Sequence, residues 1–169
     1  MNQKTKNITL VALLSALQIV IMMYLPLISL FSLVVFTLAL TKKQAIGLAV
    51  VSSLLACLIS FKLVSLTNII LLPIICLIIK TYQEKRIIAC SKGHTKKNAI
   101  ELGLLSFVFI FLSNIISEFF AMVIFSYDFS YIIVSLPIAL IGAIINAIII
   151  GLFALAISIR LCKIMLKVN

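Results

Sequence analysis

Charge is scarce in this chain: of 169 residues only 11% are Asp, Glu, Lys or Arg, and just four are acidic. There is one histidine, His94, and it stands among Ser91, Lys92, Gly93, Thr95, Lys96 and Lys97, the setting of a solvated loop rather than of a ligand site. No two of the four cysteines, Cys57, Cys76, Cys90 and Cys162, fall in a metal-ligand spacing. Cys57 and Cys76 read as small apolar residues within helices, Cys90 and Cys162 as reduced thiols on the cytoplasmic side. The sequence has no P-loop, no H-E-x-x-H, no G-x-S-x-G and no paired-carboxylate motif. An ATPase on this chain is thereby excluded, and neither a metal nor a cofactor is called for. If ATP drives its function, another subunit supplies the nucleotide site.

What is there is apolar. Hydrophobic residues make up 64% of the chain, against about 45–50% in a soluble domain. One soluble core cannot hide so much apolar side chain, so lipid serves as solvent for much of it. The formal charge of +10 does not point to nucleic acid, because the bases are neither gathered on one polar domain nor interleaved with aromatics. The first apolar run follows Lys4 and Lys6 but lacks a small-x-small cleavage site near its end, so it reads as a retained helix rather than a leader.

A membrane-crossing helix takes about 20 mainly apolar residues to cover about 30 Å of hydrocarbon. Six runs qualify: Ile8 to Tyr24, Leu27 to Leu40, Ala45 to Phe61, Leu63 to Ile79, Leu102 to Phe125 and Tyr131 to Ile159. The second is short and is either tilted, broken near Pro26 or sheltered by protein. Pro73 predicts a kink in the fourth. The one extended polar stretch, Lys80 to Glu101, reads as a cytoplasmic loop. With the N-terminus inside, thirteen of the fourteen basic residues fall on the inner side and only Lys62 outside, as the positive-inside rule requires. The expected architecture is an all-α integral membrane protein: one domain spanning residues 1–169, a bundle of six transmembrane helices with both termini cytoplasmic.

Polar groups within such runs are costly, about 2.5–3.5 kcal/mol for a charge at mid-helix, and each invites a functional reading. Glu118 lies about 10 Å from the outer end of its run, with Asn114 one turn before it on the same face. It reads either as a ligand-binding carboxylate or as one that snorkels outward or bonds to a neighbouring helix. Tyr131, Ser135, Gly142 and Asn146 recur along one face of the last run, and its outer end adjoins Tyr127 and Asp128. Ala139, Ala143, Ala147 and Gly151 form a ridge at every fourth position, a spacing suited to close helix packing. The fourth run opens with Ser65, Leu66, Thr67 and Asn68. Runs four to six therefore carry polar groups at similar outer depth, while runs one to three have little beyond hydroxyls and Gln18. The expected small-molecule site comprises Asn68, Asn114, Glu118, Tyr127, Asp128, Tyr131, Ser135 and Asn146. Its tyrosines would stack on a flat ring and its carboxylates suit a cationic or hydrogen-bond-donating one, such as a vitamin-like heterocycle.

The opening Thr9-Leu10-Val11-Ala12-Leu13-Leu14-Ser15-Ala16, the segment Lys42-Lys43-Gln44-Ala45-Ile46-Gly47 and the stretch from Leu136-Pro137 to Asn146-Ala147, in that order and topology, resemble the substrate-binding S components of bacterial energy-coupling factor (ECF) transporters. The resemblance covers the whole chain. It implies that Ala12 and Ala16 meet a transmembrane coupling subunit, and that a vitamin or vitamin precursor binds in an outward pocket beneath the loop Tyr24 to Ser32. It also implies two cytosolic ATPase partners, a bacterial plasma-membrane location, release of cargo by toppling of the subunit, and no chemical step on this chain. Two other classes of function compete: a membrane-embedded enzyme acting on a lipid or prenyl chain with Glu118 or Asp128 as acid or base, against which the lack of a paired carboxylate or metal motif counts, and an assembly partner without a ligand. For topology, a reporter fused after Asn169 is expected to be active only on the cytoplasmic side; access from outside the cell alone would overturn the six-span arrangement.

Overall fold

The computed structural model describes residues 3–60, 65–86 and 96–168, and every regular element among them is a helix. The elements are α1 (Gln3–Tyr24), α2 (Pro26–Ala39), α3 (Lys42–Ser60), α4 (Ser65–Arg86), α5 (Lys96–Phe125) and α6 (Ser130–Ile149), the last continuing through a π-helical segment, Ile150–Ala154, into α7 (Leu155–Val168). Lys42–Ile59, Leu66–Gln83, Lys97–Phe125 and Ser130–Leu161 are long and apolar enough to cross a membrane, whereas Ile8–Tyr24 and Ile28–Ala39 are shorter apolar helices.

Local chemistry sets the breaks. Proline disfavours the helical region for the residue before it, and Leu25, ahead of Pro26, adopts φ −133°, ψ 61°. That one residue separates α1 from α2, and Pro26 at the start of α2 lacks only an N–H that no helical carbonyl needs. After α2, Leu40 is extended and Gln44 turns back on Thr41, accepting hydrogen bonds from its backbone N–H (3.1 Å) and its hydroxyl (2.9 Å). Here Thr41 and Gln44 act as a capping pair for α3. At the end of α5, Ser126 takes a positive φ of 54°, and the Tyr127 N–H reaches the Met122 carbonyl (3.1 Å). That six-to-one bond closes the helix with a left-handed residue.

The predicted polar loop, Lys80 to Glu101, is largely helix in the structure: α4 continues to Arg86 and α5 begins at Lys96. A helix satisfies its own backbone whatever its side chains, so the end of an apolar run need not be the end of the helix. Residues 87–95, which include Cys90 and His94, lie outside the described residues. Cys57 and Cys76 sit on α3 and α4, Cys76 buried.

α2 is the axis of the bundle. From Leu33 to Leu38 six consecutive residues are buried, and six residues cover more than a full turn at about 3.6 residues per turn. Protein therefore surrounds it on every side, against α1, α3, α4, α6 and α7, which accounts for a helix only 14 residues long. The peripheral helices turn large apolar side chains outward instead; Ile133, Val134, Ile138, Ile141 and Ile148 of α6 are all exposed. An exposed apolar surface of this kind is suited to hydrocarbon, not water.

The closest backbone approach joins α5 to the end of the last helix. A Cβ on Gly103 would stand 3.0 Å from the Ala147 carbonyl oxygen, and one on Gly151 would stand 3.2 Å from that of Ala99. The small-residue ridge of the last run thus meets α5 through Ala147 and Gly151. Gly103→Val is expected to cost about 1–3 kcal/mol through overpacking, whereas Gly142→Ala, where a Cβ meets nothing within 4 Å, should not lower stability. Thermal unfolding of the detergent-solubilised variants checks this, and equal melting temperatures for Gly103→Val and wild type would refute it.

Candidate functional site

Four helices present polar stripes to one cavity of about 330 Å³. From α5 come Ser113, Asn114, Ser117 and Glu118, spaced so that they share one helix face; from α4 come Asn68, Leu71, Leu72 and Ile75 at the same periodicity. α1 contributes Gln18 and Met22, one turn apart, and α2 contributes Ser29, Leu30 and Leu33. These positions belong to the end of the bundle where α1 ends, α2 and α4 begin and α5 ends. Lys42, Lys43, Lys80, Lys97 and Arg160, among other basic residues, belong to the opposite end.

The wall is pinned by hydrogen bonds between helices. Gln18, 1% exposed, donates from Nε2 to the Ser29 carbonyl (2.9 Å) and accepts at Oε1 from the Ser32 hydroxyl (2.7 Å). A single amide therefore ties α1 to α2 across their one-residue break. Thr67 and Ser117 share a hydrogen bond (3.1 Å) that joins α4 to α5. Ser113 donates to the Ile110 carbonyl of its own helix (2.9 Å), which leaves its oxygen lone pairs available to accept. Asn68, Asn114 and Glu118 supply the stronger polar groups.

Aromatic rings cluster at the turn between α5 and α6. Phe125 and Tyr127 stack with ring centres 5.5 Å apart, and Tyr127 and Tyr131 tilt against each other at 5.0 Å. The Tyr131 phenol faces the Glu118 carboxylate as a hydrogen-bonding and electrostatic neighbour, with Tyr127 beside it. This arrangement depends on the Ser126 turn, which carries the chain from α5 to α6 and sets Tyr127 between the two.

Of the residues expected from sequence, the structure brings Asn68, Asn114 and Glu118 together in the wall, while Tyr127 and Tyr131 lie outside the lining, with Tyr131 an electrostatic neighbour of Glu118. Asp128, Ser135 and Asn146 are not in the wall. Asp128 is exposed, and its carbonyl accepts the Tyr131 N–H (2.9 Å) at the start of α6. Ser135 donates to the Ile132 carbonyl (3.1 Å), and Asn146, buried on α6, donates to the Gly142 carbonyl (3.0 Å). Gln18, Ser29, Ser113 and Ser117 were not expected. Ser113 and Ser117 carried a usable signal, each adjoining an expected residue, Asn114 or Glu118, one turn apart; Gln18 was the one deep amide of the first three runs. Ala12 and Ala16 are exposed on α1.

The chain matches no family model, no curated protein and no solved structure.

Chemically, the wall offers amides, hydroxyls and one carboxylate above an apolar floor of Leu30, Leu33, Leu72 and Ile75. No group of three His, Cys, Asp or Glu side chains that could hold a metal occurs among the described residues. Such a lining is built for recognition, with a volume at the small end of the range of ligand pockets, about 300–1,000 Å³. At the opposite end, Lys80 is buried with Nζ on the Gln83 carboxamide oxygen (2.6 Å) and the Leu38 carbonyl (3.4 Å). Its charge there complements the carbonyl end of α2. Because Gln18 serves two partners in a buried setting, Gln18→Leu should cost about 1–3 kcal/mol by removing both hydrogen bonds that tie α1 to α2. Melting of Gln18→Leu, Ser32→Ala and the double variant tests this; strictly additive losses would refute the coupling.

Proposed function

We propose that the chain is the small-molecule-binding subunit of an ATP-driven uptake system, of the kind the S components of ECF transporters form. The observation that carries this reading is the polar-lined cavity between α1, α2, α4 and α5, at the end of the bundle opposite the lysines of the described residues. In a membrane, basic residues mark the cytoplasmic side, and the cavity then faces outward, where a nutrient is captured. All six apolar helices span in this reading, with both termini in the cytoplasm of a bacterial cell; α2 manages with 14 residues because protein rather than lipid surrounds it.

Energy then comes from elsewhere. The chain contributes recognition, a transmembrane coupling subunit docks on α1, and two cytosolic ATPases drive the cycle. The exposed alanines Ala12 and Ala16 support this, because small side chains one turn apart let a second helix approach closely. Cargo in this reading is a vitamin or vitamin precursor held by the polar stripe of α5 and the amides of Gln18 and Asn68.

Two substitutions separate capture from coupling. Leu72→Trp, which fills the cavity floor, should abolish both ligand binding and uptake. Ala12→Trp with Ala16→Trp should abolish uptake while leaving binding to the isolated subunit within about twofold of wild type. Calorimetry on purified protein and uptake of the bound compound by whole cells measure the two. Wild-type uptake by the double tryptophan variant would remove the coupling role, and unchanged binding by Leu72→Trp would remove the cavity.

A further inference from the structure

We infer that the cavity selects a small organic cation, a protonated amine or cationic ring with an apolar body; this rests on the binding reading above and narrows its ligand. Among the described residues that line the wall, Glu118 is the one charged side chain and none is basic. Every other polar wall group is a neutral amide or hydroxyl, able to orient a ligand and unable to balance an anion. An anionic ligand would therefore bring a second negative charge beside the carboxylate in a poorly screened site, whereas a cation supplies the missing counter-charge.

The aromatic rings beside Glu118 support the same sign. Tyr127 and Tyr131, tilted at 5.0 Å, expose ring surface (48% and 42% exposed), and the Glu118 carboxylate is the main electrostatic neighbour of the Tyr131 phenol. The ring quadrupole attracts cations over its face. Carboxylate and aromatic faces thus act together on a positive head near Glu118, while the leucines and Ile75 below receive an apolar body. Asn68 and Asn114, which make no hydrogen bond among the described residues, are placed to orient polar substituents between the two.

The test uses the full chain, purified from its native membrane into nanodiscs. Mass spectrometry of the compound released on denaturation reads its charge at neutral pH, and calorimetry compares benzylammonium with benzyl alcohol, two probes that differ mainly in charge. The expected result is a cationic occupant and benzylammonium binding at least tenfold tighter than benzyl alcohol. Glu118→Gln should bring the two probes to within about twofold of each other while both still bind, a pattern that misfolding, which would abolish both, would not give. Tyr131→Phe, which keeps the ring, should retain the preference, and Tyr131→Ala should weaken it several-fold. A neutral or anionic occupant, or equal binding of the two probes, overturns the cation assignment and leaves the binding reading intact. No released compound and no binding of either probe, with Leu72→Trp indistinguishable from wild type in uptake, overturns both.

Discussion

The burial of α2 on every side from Ser32 to Leu38 is the constraint on which the bundle depends. A helix of 14 residues rises about 21 Å, too little to cross about 30 Å of hydrocarbon unaided. Its neighbours make up the difference, so α1, α3, α4 and the final helix must all reach it. Its two ends are polar problems in an apolar surrounding, and each is solved by side chains from elsewhere. Gln18 and Ser32 join its first turns to α1, while Lys80 and Gln83 of α4 reach the Leu38 carbonyl in its last turn. The cavity is the space left at the first of these ends, where α5 stands off from α2 and α1.

Proline and glycine do complementary work around that axis. Pro26 forces the break that lets α2 turn inward beside α1. Pro73, inside α4, removes the donor that the Ile69 carbonyl would otherwise receive, one residue from Asn68 in the cavity wall. Gly103 and Gly151 bring α5 and the final helix into backbone contact near the other end, and the π-helical segment begins beside that contact, at Ile150. A π turn accommodates an extra residue without ending the helix, so Ser130 to Val168 runs on while Gly151 still meets α5.

Hydrophobic runs were readable because lipid imposes a minimum apolar length, and six apolar helices occupy the places those runs predicted. Helix ends were less readable: Lys80 to Arg86 and Lys96 to Glu101 are polar yet helical, because polarity changes the solvent of a helix and not its backbone bonds. Within the site, Asn68, Asn114 and Glu118 announced themselves as amides and a carboxylate in otherwise apolar runs. Gln18 and Ser29 did not, because their part in the wall depends on α1 and α2 lying across from α4 and α5, a neighbour relation that no periodicity encodes. Asn146 illustrates the converse. It shares a face with Tyr131 and Ser135 on the helix, yet the cavity stops at α5 and Asn146 bonds instead to Gly142 of its own helix.

Polar residues in an apolar bundle divide by whether their own helix can satisfy them. Ser52, Ser53, Ser113, Ser135 and Ser158 each donate to the carbonyl three residues earlier, and Thr81 to the one four earlier. A hydroxyl so bonded costs little and says little about function, whichever way it faces. A longer amide or carboxylate carries more donors and acceptors than one local bond absorbs. Gln18 resolves this with two bonds to α2, but Asn68 and Asn114 have none among the described residues, and Glu118 has only phenolic company. Water or a ligand in the cavity can complete these three. Elsewhere the hydroxyls of Ser15 and Ser106 and the Asn146 Oδ1 are buried without a partner among the described residues, but singly, so what separates recognition in this bundle from incidental polarity is the gathering of amides and a carboxylate around one space of ligand size.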